Sequence, residues 1–394
     1  MTPGRIKATV LACHFAGAFG PMGMPPFLAL ILVGIAPGAD ERLIGWLYIV
    51  PTACLAISAP LWGRLADRWG RKPLLLRAQI GLAFSFILAG LAGSLPLFVL
   101  ALCLQGLLGG TFSASNAYLS EALPRKDLSQ ALNLTQASAR LALIFAPAAV
   151  GFMVDQHLAP QKLYLIVALL PMIAVMLLAP LPARGRPESD TAAAPPPTSP
   201  SRHSLSRGAI MAGQTGFTLA MISTFPFLIP YSMATFGLGA GGAGWLFGLP
   251  HIVYLLACIP LGRHLRARDP APWFAAGALI VGVTLLTQAF TTSLAVFALA
   301  RLALGIGMTL GYVALNALIA DTIEDASAGR AFGWFDSGAK LATIVASIGG
   351  GLIAAGLGMT ALFLASALCG ALTATVVMML RGGSIPSTRS AALE

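Results

Sequence analysis

Along its whole length the chain alternates long apolar runs with short polar ones. The first run begins after Arg5 and Lys7 and continues to about Gly34. It is too long for the apolar core of a signal peptide and reads as a spanning helix. Further runs follow over 43–62, 74–94, 97–119, 131–153 and 162–182, then over 209–235, 242–261, 273–292, 294–319, 331–356 and 360–380. About twenty apolar residues in a helix cross the roughly 30 Å of hydrocarbon in a bilayer. The pattern therefore predicts an all-α membrane protein with about twelve transmembrane helices. Residues 183–208 interrupt it with ARGRPESDTAAAPPPTSPSRHSLSRG, a Pro-, Ser- and Arg-rich composition that predicts a flexible linker.

The two halves repeat one another. Pro26-Phe27-Leu28 returns as Pro226-Phe227-Leu228, and Gly45-Trp46-Leu47-Tyr48 with Pro51 returns as Gly244-Trp245-Leu246-Phe247 with Pro250. Asn116-Ala117 with Glu121 returns as Asn316-Ala317 with Asp321, and Ala139-Arg140-Leu141-Ala142 as Ala339-Lys340-Leu341-Ala342. The shift is 199 or 200 residues each time, close to half of 394. This predicts two pseudo-symmetric six-helix bundles, 1–182 and 209–394, joined by the 183–208 linker on the cytoplasmic side. Parallel repeats of this kind place a transport site at their interface near the midplane.

Composition narrows the class. Hydrophobic residues make up 57% of the chain and charged ones 10%, far below the share of about 25% in soluble domains, and the mean hydropathy is +0.83. The net charge of +10 does not indicate nucleic acid, because the basic residues are spread over loops with no aromatic-interleaved patch. All but five of the 24 lysines and arginines fall in segments that one topology puts in the cytoplasm. Arg42 and Lys162 lie outside, and Arg140, Arg301 and Lys340 lie within helices. That asymmetry predicts a multi-pass protein of a bacterial inner membrane with both termini cytoplasmic. Cys13, Cys54, Cys103, Cys258 and Cys369 sit in apolar runs without metal-ligand spacing, so neither a disulfide framework nor a metal site is expected. No GxSxG, HExxH or P-loop is present, and neither an enzyme nor a cofactor is expected.

One polar run stands out. Residues 63–73, GRLADRWGRKP, pack a carboxylate, three guanidinium groups and an ammonium between two spans, and read as a short aqueous turn. Gly63, Leu65, Asp67, Arg68, Gly70, Arg71 and Lys72 spell GxLxDRxGRK. Here the chain resembles the major facilitator superfamily, in its branch of twelve-helix proton-driven exporters. The resemblance implies that Gly63, Asp67, Arg68, Gly70, Arg71 and Lys72 form a conformational gate with Glu121, pinning helix ends in one state and releasing them in the other. Two departures weaken the link to drug exporters. The fourth span reads Leu102-Cys103-Leu104-Gln105-Gly106 where they carry RxxQG, and the fifth keeps only Ala146-Pro147-Ala148-Ala149-Val150-Gly151 of GPxxGG.

Ionisable groups within spans are costly and so mark function. Arg140 lies near mid-depth of the fifth span and Lys340 takes the matching place in the eleventh, which suggests a clamp for an anionic substrate; neutralisation within each bundle is the competing reading. Gln105 and Asn116 on the fourth span, Tyr312 and Asn316 on the tenth, His14 on the first and Gln214 on the seventh complete the predicted lining, with interhelical hydrogen bonding as the alternative for each. Asp336 lies four residues before Lys340 and is, with His14, a candidate for proton coupling. The expected partners are a small-molecule substrate, the lipid bilayer and a proton gradient, with the chain working as a monomer. The sequence thus predicts a secondary active transporter, a proton-coupled exporter of a small polar or anionic metabolite such as a carboxylate siderophore. A multidrug efflux antiporter and a proton-coupled importer of an organic anion are the alternatives.

Overall fold

The computed structural model describes residues 2–123, 125–183, 205–265, 268–321 and 328–382. The linker predicted over 183–208 lies mostly outside them. The described chain is a succession of helices, as a bilayer demands of any backbone that must satisfy its polar groups internally. In the first half these are α1 (Pro3–Gly23), α2 (Leu28–Ile35), α3 (Leu43–Trp69), α4 (Arg71–Leu91), α5 (Leu95–Leu108), α6 (Thr111–Ala122), α7 (Arg125–Asp155) and α8 (Leu163–Leu178). The second half holds α9 (Arg207–Ile222), α10 (Leu228–Phe236), α11 (Ala240–Leu265), α12 (Ala271–Phe290), α13 (Leu294–Asp321) and α14 (Ala328–Gly382).

Among the described residues, eleven continuous stretches are long and apolar enough to span. The last, Ser337–Arg381, counts double, because Gly358 (φ 83°, ψ 174°) leaves helical geometry and divides α14 into two arms. Twelve spanning segments result. The repeat is visible in the backbone too: α1 and α2 are joined by a 3-10 turn at Pro25–Phe27, and α9 and α10 by one at Phe225–Phe227. Proline opens or follows such a turn readily because its missing N–H is not needed there.

Two details differ from the sequence expectation. The run from Gly63 to Pro73 is almost wholly helical: α3 continues to Trp69, α4 starts at Arg71, and Gly70 alone makes the turn. Its φ of 87° with ψ of 164° suits only glycine. Gly63 lies inside α3 with open space where a Cβ would stand, so no turn or packing requires it. Arg, Lys, Leu and Ala are good helix formers, and a helix leaving hydrocarbon has no reason to unwind in water.

The second difference concerns the fourth span, which breaks between α5 and α6 at Gly109 and Gly110, the latter left-handed (φ 89°, ψ 29°). The tenth span, α13, runs unbroken, and at the equivalent positions it carries Thr309 and Leu310. Trp62 Nε1 donates to the carbonyl of Leu107 at 2.6 Å, and Arg77 Nη1 to those of Leu108 (2.6 Å) and Gly109 (3.2 Å). The guanidinium also lies 3.6 Å over the Trp62 ring. A cation at the C-terminal end of α5 complements the helix dipole and satisfies carbonyls that the break orphans.

The halves meet at the helix ends remote from Gly70. An added Cβ at Gly45 would stand 2.3 Å from the Ser347 carbonyl oxygen, at Gly151 2.2 Å from that of Ala240, and at Gly244 2.5 Å from that of Pro147. These contacts bring α3 against α14 and α7 against α11 backbone to backbone. Asp155, at the end of α7, reaches across the seam and accepts from Ala240 N (2.7 Å) and Gly241 N (2.9 Å) at the start of α11.

Candidate functional site

A cavity of about 520 Å³ lies on the seam, walled by α1, α3, α4, α5, α6 and α7 from one half and α9, α11, α13 and α14 from the other. Met22, Leu55, Phe112, Phe225, Phe247 and Met308 give it apolar sides. No Asp or Glu is among its described lining residues.

Arg140 from α7 is the cation that lines it. Its Nη1 lies 3.3 Å from Nδ1 of His251, which α11 of the other half contributes. A guanidinium only donates, so His251 Nδ1 accepts here. The Arg140 guanidinium carbon also stands 4.3 Å over the Tyr254 ring and 5.3 Å over that of Tyr312, two cation–π contacts across the seam. His251 is buried, with Phe225 and Phe247 against its ring at 6.2 and 6.1 Å. One side chain of the first half is thus seated against three groups of the second.

The other predicted residues divide. His14, Gln105, Arg140 and Tyr312 line the cavity. Buried His14 has Nδ1 2.6 Å from Ser138 Oγ, which itself donates to the Thr135 carbonyl at 2.8 Å, so the imidazole is the donor of that pair. Asn116 does not line it; its Oδ1 accepts from Thr135 Oγ1 at 2.8 Å between α6 and α7. Gln214 is buried and donates to the Phe335 carbonyl at 2.8 Å, tying α9 to α14. Asn316, one turn past Tyr312, and Lys340, one turn before Thr343, are also not among the lining residues. The repeat relates Arg140 and Lys340 in sequence, but only Arg140 reaches the cavity. The side chains of Asp67 and Asp336 lie outside the described residues.

Around the Gly70 turn, Arg71 Nε stands 3.7 Å from Glu121 Oε2, and Arg71 also donates to the Ala117 carbonyl at 3.0 Å and to Ser120 Oγ. Lys72 Nζ donates to the Ala179 carbonyl at 2.7 Å. These bonds tie α4 to α6 and to the end of α8, all within the first half. Arg68 is exposed.

The sequence model of the Major Facilitator Superfamily matches residues 10–283 and 210–392. The chain belongs to this superfamily. It is a transporter rather than an enzyme. The multidrug resistance protein MdtG of Klebsiella pneumoniae (strain 342) is 33% identical over 154 residues, 38% of this chain and 37% of that protein. MdtG of Citrobacter koseri is 34% identical over 150 residues, covering 37% of each. The match thus spans little more than a third of these relatives. Among solved structures, a bacterial homologue of the human lysosomal transporter Spinster, in an inward-facing and occupied conformation, superposes with a TM-score of 0.77 at 14% identity, over 96% of this chain and 97% of its own. The nucleoside transporter NupG gives 0.78 at 14%, over 95% and 99%. At such identities the likeness shows the fold alone.

Within that fold, sequence reasoning missed His251, Tyr254, Asp155 and the role of Arg77. His251 was legible in principle. It is an ionisable group inside an apolar run, directly after the repeated Pro250, and the rule that singled out Arg140 applies to it equally. Arg301, which the sequence places within a span, neither snorkels outward nor lines the cavity. It is instead 2% exposed, and its Nε and Nη2 donate to the carbonyls of Leu246 (3.1 Å) and Phe247 (3.0 Å). Pro250 explains this, because its missing N–H leaves the Leu246 carbonyl without an intrahelical donor. Arg301 supplies the donor, so its charge is engaged within the second half.

Proposed function

We propose that this superfamily member is a proton-coupled exporter of a small anionic metabolite, a carboxylate siderophore being one such cargo. It works in an inner membrane with both termini cytoplasmic. The observation that carries the reading is the placement of Arg140: a cation at the seam, lining a cavity with no described carboxylate and held by the opposite half. An anion seated there touches both halves, so its binding biases their relative position, as alternating access requires. The uneven distribution of basic residues supports the orientation, and buried His14 on the cavity wall offers an ionisable group beside the site. Export of multiple drugs is the second reading, favoured by the partial match to MdtG. Proteoliposomes with an imposed proton gradient separate these. Movement of 2-naphthoate against its own gradient, with opposite proton flux, is the expected result. Proton-driven transport of tetraphenylphosphonium without transport of the anion replaces this reading with the second one, and uphill anion entry together with protons makes the chain an importer.

A further inference from the structure

We propose that the cavity takes an amphiphilic organic monoanion: one carboxylate, or a group of like charge, on an apolar or aromatic body. The inference rests on the anionic reading of the same site and narrows it, setting aside hydrophilic polycarboxylates, siderophores of that kind included. The charge count comes first. Moving an ion from water into such a cavity costs several kcal/mol unless a partner is waiting, so each ligand charge needs its own cation. Arg140 meets one. Lys340, its counterpart in the repeat, is not on the wall, and Arg301 spends Nε and Nη2 on backbone carbonyls. Among the described lining residues a second carboxylate would find no further counter-charge.

The body of the ligand follows from the walls. Met22, Leu55, Phe112, Phe225, Phe247 and Met308 line the cavity, whose volume of about 520 Å³ falls in the range that encloses a molecule of drug size. A hydrophilic polyanion would forfeit its hydration against these side chains and gain nothing. Methionine and aromatic rings adapt to several shapes, so the body is recognised as apolar area rather than by a single outline. The anion seat is more exacting. Tyr254 and Tyr312 stand against the Arg140 guanidinium and His251 engages its Nη1, which fixes the plane in which a carboxylate is received.

The test is isothermal titration of the full chain in lipid nanodiscs, corrected with empty nanodiscs, using acetate, benzoate, 2-naphthoate, citrate and tetraphenylphosphonium. Affinity should rise along the monocarboxylates, about tenfold from benzoate to 2-naphthoate for the added apolar area. Citrate and tetraphenylphosphonium should bind more weakly than 2-naphthoate. Arg140→Gln should weaken 2-naphthoate at least about tenfold, and Arg140→Lys should retain part of the binding. The wild-type series decides even if Arg140→Gln does not fold. Citrate binding more tightly than 2-naphthoate, and losing affinity in Arg140→Gln, overturns the amphiphilic monoanion and leaves the anionic reading standing. Preference for tetraphenylphosphonium overturns both, and failure of 2-naphthoate to bind overturns the proposal.

Discussion

An arginine within a spanning helix invites a functional reading, and two of them here have opposite fates. Arg140 faces a cavity, whereas Arg301 repairs a helix. Sequence placed both within spans but could not separate them, because the difference lies in what the neighbouring helix presents: a wall of rings to one, carbonyls loosened by Pro250 to the other. The repair can be tested. Arg301→Met should destabilise the protein by about 1–3 kcal/mol, the cost of leaving a buried acceptor unsatisfied, read as a lower melting temperature in detergent. Pro250→Ala restores an N–H to Leu246 O, so the same arginine substitution should cost less in that background. A cycle in which the two changes are simply additive removes Pro250 from the explanation. His251 shows the complementary limit: an aromatic, weakly basic residue in an apolar run looks like core until its neighbour across the seam is known.

Helices were legible from hydrophobic length, and their interruptions much less so. The gate run was expected to be a loop because it is charged, yet charge only says that the segment is wet. Gly70 sets the turn by its backbone angles. Gly106 and Gly110 form a four-spaced pair of the kind that serves close helix packing. Gly106 does, since a Cβ there would stand 2.2 Å from the Pro51 carbonyl oxygen, but Gly110 breaks the span. Gly110→Leu, which copies the residue at 310, should cost roughly 1–2 kcal/mol because a side chain is forced into a left-handed conformation. An unchanged melting temperature would show that the span can straighten there. Asp155 tests another element end. The segment 237–243, GLGAGGA, supplies α11 with no acidic or hydroxylic cap of its own, whereas α3 follows Asp40, whose Oδ1 accepts from Arg42 N at 2.8 Å. Removing the borrowed carboxylate with Asp155→Ala should speed amide hydrogen exchange over the first turn of α11 by about tenfold, the equivalent of one charge-assisted cap. Exchange as slow as in the wild type would mean that packing alone holds this end.

At the scale of the molecule, the internal repeat revealed the two-bundle plan, and also misled where it invited symmetry. Arg140 and Lys340 occupy matching positions, yet the fourth span breaks where the tenth does not, so the cavity walls are not mirror copies and only one cation reaches the centre. Alternating access belongs to this scale, because it asks the whole seam to close at one end and open at the other. The end of the seam remote from Gly70 is held by backbone contacts, and a Cβ at Gly351 would lie 3.3 Å from the Arg42 carbonyl oxygen. Cysteines introduced together as Arg42→Cys and Gly351→Cys place one thiol on each side of this contact. Oxidation with copper phenanthroline should cross-link α3 to α14, reduce 2-naphthoate transport at least about tenfold, and be reversed by dithiothreitol. Arg42→Cys alone should transport normally before and after oxidation. The cross-link blocks transport only if this seam must part in every cycle, since binding to the cavity from the other end is left intact. Quantitatively cross-linked protein that transports at the uncross-linked rate would show that substrate leaves without parting α3 from α14, and the rocking of one bundle against the other would have to be abandoned for this chain.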